Sequence, residues 1–206
     1  YVMVKLSPML DISAALSVLR HVSEVHVVSV KGECKELLFV LDKIHEGQPV
    51  YYAVNLGLSD QVFTCTHEEK NRALLQVASE HVASASATCI YEPHASILKA
   101  GLQDVLCERY AVEKLHPMSN LFVSSSPVQD FPGRGFEIVA SCGFGKKELR
   151  AMLAGVTKAN ITARNFPTSV AELRKKLRLA EGGDVYLFAT TVADGSHRLI
   201  RCIKHG

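Results

Sequence analysis

The alternation of apolar and polar positions divides the chain into three segments. In residues 1 to 44, Tyr1 to Leu6 reads as a buried strand, Ser13 to Arg20 as a helix, and Val25 to Val30 and Cys34 to Leu41 as two more strands. Only Lys31-Gly32-Glu33 separates the last two, and short turns join antiparallel strands, so this pair reads as a hairpin. The strand, helix and strand before it read as a crossover of an α/β sheet.

Residues 45 to 134 are mixed. Val50 to Asn55 and Gln61 to Thr66 read as strands separated by residues 56 to 60, and Lys70 to His81 as a helix whose end is blurred by the Ser/Ala-rich stretch Val82 to Thr88. Pro93 opens a helix over Ala95 to Tyr110, with Ile97, Leu98, Leu102, Val105 and Leu106 at helical spacing. Leu121 to Ser124 reads as a strand, and residues 130 to 135 as a loop or linker.

From residue 135 the alternation is cleaner. Strands are expected at Phe136 to Ala140 and Ala159 to Asn165, helices at Lys146 to Leu153 and Val170 to Leu179, and a closing hairpin at Asp184 to Thr191 and His197 to Ile203. Ser169 followed three residues later by Glu172 is a capping box, and Gly182-Gly183 is the expected stop. Two β-α units and a hairpin make a small α/β domain.

Composition adds bounds. The 206 residues are 48% hydrophobic and 21% charged, enough to bury a core and incompatible with disorder as the main state. No apolar run approaches the roughly 18 to 20 residues that cross a bilayer, and no signal-peptide pattern opens the chain, so a soluble, cytoplasmic protein without a membrane partner is expected. Because Tyr1 is not an initiator Met and lies inside an apolar run, the chain reads as a fragment lacking its N-terminal portion. Lys and Arg total 23 against 21 acidic residues, a net +2, so only local clustering can speak for nucleic acid. The six cysteines form no C-x-x-C pair and read as reduced, buried thiols.

Candidate chemistry is sparse. Gly143-Phe144-Gly145-Lys146-Lys147 joins a strand to a helix, where free N–H groups attract phosphate. It is not a Walker A loop, since Ala140 stands where a glycine belongs and Lys147 where Ser or Thr would hold magnesium; the alternative is a tight turn beside solvated lysines. Four basic residues fall in the five positions Arg174 to Arg178. If both helices pack on one side of their sheet, Lys146, Lys147, Arg150, Arg174, Lys175 and Arg178 form one basic surface able to track a phosphate backbone; otherwise it is a solvated face. None of the nine histidines falls in a metal-ligand pattern, and His21, His26 and His81 read as surface or boundary residues. There is no G-x-S-x-G elbow and no dinucleotide-type glycine loop. A hydrolase using a cysteine is a third reading with no cysteine singled out.

The stretch from Val4 to Asp11, followed by Val25 to Phe39, resembles the C-terminal end of a class I S-adenosylmethionine-dependent methyltransferase domain. Tyr91-Glu92-Pro93-His94 and the residues to Gly101, Lys114-Leu115-His116, residues 119 to 123 and Phe131-Pro132-Gly133-Arg134 resemble the region that follows it in a bacterial family ending in a THUMP-like domain. The chain departs from that family at His94, where Asn is expected. The resemblance implies three domains: the end of a Rossmann-like methyltransferase sheet at 1 to 44, a ferredoxin-like middle region at 45 to 134, α+β in character, and a THUMP-like domain at 135 to 206. It implies an RNA substrate, tRNA in particular, with no specific indication of DNA. S-adenosylmethionine would serve the full-length protein, but its loop would lie upstream of Tyr1, so none is expected in this chain. Ser7, Pro8 and Asp11, at the carboxyl end of a parallel strand, are the catalytic candidates, with a loop start and a helix cap as the alternative. The runner-up function is a non-enzymatic nucleic-acid or protein binding module on a methyltransferase-like scaffold.

Overall fold

The computed structural model describes residues 1–57, 60–78 and 87–204, and among these described residues the strands form two sheets. The contacts group the residues into two units, Tyr1–Leu74 with Pro93–Arg109, and Leu75–Glu92 with Tyr110–Gly206.

The first unit holds a five-stranded sheet of β1 (Val2–Leu6), β2 (Val22–Val30), β3 (Glu33–Leu41), β4 (Val50–Leu56) and β5 (Gln61–Thr66), in the order β1-β3-β2-β4-β5. β3 runs antiparallel to both β1 and β2, so those two are parallel to each other, connected by α1 (Ile12–Val18), with β3 inserted between them. β4 is parallel to β2, and β5 returns antiparallel. Alternation in β2 buries Val25, Val27 and Ser29 on one face, where they meet Leu37, Phe39, Tyr51 and Ala53 of the neighbouring strands. The crossover and hairpin expected in residues 1 to 44 are present. β4 and β5, which fall in the middle segment by sequence, extend the same sheet.

α2 (His67–Arg72) replaces the helix expected at 70 to 81. It starts earlier because Thr66 and Glu69 form a capping box, and it ends at Arg72, after which the Leu74 N–H donates to Glu108 and Val77 bridges to Lys114. His81, the end of that expected helix and most of the stretch 82 to 88 lie outside the described residues, as do residues 58 and 59. The helix expected at 95 to 110 is two helices, α3 (Ala95–Ala100) and α4 (Gln103–Tyr110). Gly101 breaks it: at φ 68° its backbone is left-handed, and its N–H closes on the carbonyls of Ile97 and Leu98. Pro93 ends a strand instead of opening the helix.

That strand is β6 (Cys89–Pro93), buried at every position. It lies in the second sheet with β7 (Glu113–Lys114), β8 (Phe122–Ser124), β9 (Gly133–Cys142), β10 (Asn160–Arg164), β11 (Val185–Thr191) and β12 (His197–Lys204), in the order β10-β11-β12-β9-β6-β8-β7. β10 and β11 are parallel; β11, β12 and β9 alternate in direction. β9 begins within the loop expected at 130 to 135. The helices α5 (Lys146–Met152) and α6 (Val170–Leu177) form as expected. α6 stops earlier than Gly182, because Arg178 takes the left-handed cap position at φ 57°.

This sheet buries a core on each face. On one, Leu149 and Met152 from α5 and its C-cap Leu153 pack with Val170, Leu173 and Leu177 from α6 over Ile161, Leu187, Ala189 and Leu199. On the other, Phe136, Phe188, Ile200 and Cys202 pack with Ile90, Leu115, Leu121 and Val123. The register of β9 on β12 shifts between Arg201 and Cys202, leaving Val139 as an extra residue. That bulge moves the even positions of β9 from one core to the other: Phe136 and Ile138 face the second cluster, Ala140 and Cys142 the first. Three contacts tie distant parts of the sheet across the second face: Ser119 Oγ to Thr190 Oγ1 at 3.2 Å, Asn165 Nδ2 to His116 Nδ1 at 3.1 Å, and Arg164 Nε to Glu92 at 2.9 Å. β10 and β6 are four strand spacings apart, about 19 Å if flat, so the sheet must curl for Arg164 to reach Glu92.

Candidate nucleic-acid interface

α5 and α6 share one apolar cluster and therefore cover the same face of the second sheet, the condition under which their cations form one surface. Lys146, Lys147 and Arg150 are exposed along α5, and Lys175, Lys176 and Arg178 along α6 and its cap. Lys176 Nζ sits 5.6 Å from the ring centroid of Phe144, in the loop between β9 and α5, which brings a cation of α6 up to the segment that leads into α5.

Two of the sequence candidates differ from their neighbours. Arg174 is half-buried, and its Nη1 donates to the Ala159 carbonyl at 3.2 Å, so it braces α6 against the start of β10. Arg178 lies beyond the last helical turn, in the cap, which sets it off from the face carrying Lys175. Glu172 stays anionic beside this surface: its carboxylate accepts from the Ser169 N–H and hydroxyl in the capping box, and these bonds hold its pKa below the ordinary value.

The Gly143-Phe144-Gly145 turn leads into α5 with Gly145 as its N-cap. The Glu148 carboxylate lies against the turn, 2.9 Å from where a Cβ on Gly143 would sit. A carboxylate in the first turn satisfies the positive end of α5 and repels a second anion there.

At the end of β1 the catalytic candidates close on their own backbone. Ser7 Oγ accepts from the Met9 N–H at 3.2 Å, Pro8 sits in the same turn, and Asp11 Oδ1 accepts from the Ala14 N–H at 2.8 Å as the N-cap of α1. Among the described residues no group of His, Cys, Asp or Glu is arranged to hold a metal ion. His21 is exposed and bonds the His45 carbonyl through Nδ1, while His26 is half-buried, bonded to Glu24 and stacked on Tyr52. Cys65, Cys89, Cys107 and Cys202 are buried, and Cys34 and Cys142 partly so. Burial pushes the thiols of Cys34, Cys65, Cys142 and Cys202 up, which leaves these four without the thiolate a nucleophile needs.

Sequence reasoning singled out the Tyr91 to His94 and Phe131 to Arg134 strings but assigned them no site. They converge: Tyr91 packs on Phe131 with ring centroids 4.7 Å apart, and Arg134 bonds Glu92. Glu92 is only 4% exposed and takes a second arginine, Arg164, whose Nε and Nη2 lie 2.9 and 2.5 Å from Oε1. Arg134 also lies over the Phe136 ring, 5.6 Å from its centroid.

Comparison with known proteins agrees with this architecture. The THUMP domain-like family matches residues 133–204, and a ferredoxin-like domain family matches residues 90–132. A crystal structure of a putative methyltransferase from Porphyromonas gingivalis W83 superposes with a TM-score of 0.88 at 35% sequence identity, over 99% of this chain and 51% of that one. The chain thus spans about half the length of that structure. No curated protein matches it. Among the described residues no helix is long and apolar enough to cross a membrane.

Proposed function

We propose that the chain is the C-terminal portion of an S-adenosylmethionine-dependent methyltransferase acting on RNA, tRNA in particular, and that it contributes substrate binding. The observation that carries this reading is the likeness, over 99% of the chain and at 35% identity, to a structure described as a putative methyltransferase. The first sheet is consistent with it: two parallel strands joined by a helix, with an antiparallel strand inserted between them, is how a Rossmann-like methyltransferase sheet would end. Residues 1 to 44 would complete that sheet together with β4 and β5, so the expected boundary at 45 moves beyond β5; the ferredoxin-like region would be the later part of the middle segment, where its family matches residues 90–132, and 135 to 206 would be the THUMP-like domain. In that domain Lys146, Lys147, Arg150, Lys175 and Arg178 would contact RNA phosphates, with Arg174 bracing the helix that presents two of them.

The described residues at the end of β1 do not fit S-adenosylmethionine. The turn after β1 is closed by Ser7 on Met9 and Leu10, and the Asp11 carboxylate is committed to its cap, so no loop there presents free donors to the methyl donor. The donor would be held by other parts of the full-length protein. The test is to incubate the full-length protein with methyl-labelled S-adenosylmethionine and total tRNA. Label in RNA is expected, and RNA without label would overturn the reading.

A further inference from the structure

We infer that Arg134 and Arg164, held by Glu92, form a phosphate-binding site on the face of the second sheet opposite α5 and α6. The placement follows from the two cores: Arg134 lies over Phe136, which belongs to the cluster away from the helices. This goes beyond the RNA reading, since it requires only a phosphate group, on a nucleic-acid strand or on a small molecule.

Charge balance is the starting point. A buried carboxylate needs one guanidinium to offset its desolvation, and Arg164, which gives both Nε and Nη2 to Oε1, supplies that charge. Glu92 nevertheless holds two, so the cluster carries one uncompensated positive charge. Both arginines remain open to solvent, at 52% and 44% side-chain exposure against 5% for Glu92. Arg134 gives only Nη2 to the carboxylate, and the remaining Nη1 of Arg164 makes a long 3.4 Å contact to the Ala163 carbonyl. The spare N–H groups are therefore on the solvent side, while the buried carboxylate fixes both side chains from behind. Two guanidiniums on one carboxylate repel each other, and an arriving phosphate would relieve that repulsion. Planar forks match its oxygens in pairs.

Glu92 is a positioning residue in this account, and that separates a built site from a mere positive patch. Inorganic pyrophosphate is the probe for the free ligand, titrated into the 206-residue chain and followed by calorimetry. Saturable binding is expected, weakened about tenfold by Arg134→Gln or Arg164→Gln. Glu92→Gln should also weaken it, although it raises the net charge by one. Arg134→Lys, which keeps the charge beside Glu92 but loses the fork, should bind between wild type and Arg134→Gln, and keeps the test valid if Glu92→Gln fails to fold. Affinity unchanged within twofold in both arginine variants, or tighter binding by folded Glu92→Gln, would overturn the site.

The source of the phosphate is read with one 12-nucleotide RNA carrying either a 5′-phosphate or a 5′-hydroxyl. A preference for the phosphorylated strand that Arg134→Gln abolishes assigns the site to a strand end. Equal affinity for both strands, with pyrophosphate binding still dependent on Arg134, assigns it to a small phosphate compound. Replacing Lys146, Lys147 and Lys175 should leave pyrophosphate binding intact, so failure of the RNA reading and failure of this site are separable.

Discussion

Arg174 reaches from α6 to the start of β10, where its Nη1 donates to the carbonyl of Ala159 at 3.2 Å. Its neighbour Lys175 is exposed. Replacing Arg174 by Ala should therefore cost about 1 kcal/mol of stability, the worth of one hydrogen bond to a charged donor at a half-buried position. Lys175→Ala should change it by no more than about 0.5 kcal/mol. Urea unfolding of the two variants checks the difference, and equal effects would mean that Arg174 braces nothing.

The basic surface is best tested without Arg174, whose loss confuses binding with folding. Replacing Lys146, Lys147 and Lys175 by Ala together should weaken binding of folded tRNA with little dependence on its sequence. Each lost phosphate contact should flatten the log-log salt dependence by roughly 0.7 to 0.9. Filter binding at two or more salt concentrations measures both. A triple variant that keeps the parent's affinity throughout would leave these helices as solvated faces.

Glu69 makes stability depend on acid. Its carboxylate accepts from the Thr66 N–H, with the Arg109 guanidinium beside it, and these hold its pKa down to about 2 from 4.5. A lowered carboxylate contributes stability that is complete above about pH 4.5 and disappears as the pH falls through about 2. Glu69→Gln should thus lower stability at pH 6 by roughly 1 kcal/mol, a modest figure because the pair is one-third exposed and screened. The gap from wild type should narrow as the pH falls from 4.5 towards 2. Unfolding at pH 6, 4 and 3 would show it, and a gap independent of pH would contradict the assignment.

Gly101 and Gly57 make a matched pair of tests. Gly101 has φ 68°, and an added Cβ would also meet Lys70 Nζ at 3.4 Å, so Gly101→Ala should cost about 1 to 2 kcal/mol. Gly57 has open space around an added Cβ and no left-handed φ, so Gly57→Ala should stay within about 0.5 kcal/mol. Thermal unfolding that ranks the two the other way would remove Gly101 as the break between α3 and α4.

What the sequence disclosed follows from the range of each signal. Strand alternation is local, and β1 to β5 and β10 to β12 fall close to where it places them. The Ser169–Glu172 box is legible because it precedes a clean amphipathic helix, whereas the equivalent Thr66–Glu69 box follows a strand without a break and has no such helix to flag it. Ile97, Leu98, Leu102, Val105 and Leu106 keep helical spacing straight through Gly101, so periodicity alone merges two helices. The bulge at Val139 is hidden for the converse reason: an unbroken run of alternating residues gives no hint that it changes faces. Glu92 lies 42 residues from Arg134 and 72 from Arg164, and no spacing rule joins groups brought together by a curling sheet.

Each of the two units is assembled from two stretches of chain, with the polypeptide passing from one to the other after Leu74, after Glu92 and after Arg109. No single proteolytic cut can therefore release either unit whole. A cut after residue 44 would leave β4 without β2, its partner in the sheet. During synthesis the five strands of the first sheet precede α3, which lies against β2, β3 and β4 but is made only after β6 has been made. The first unit must wait for a helix encoded beyond a strand of the second, which binds the two together in time as well as in sequence.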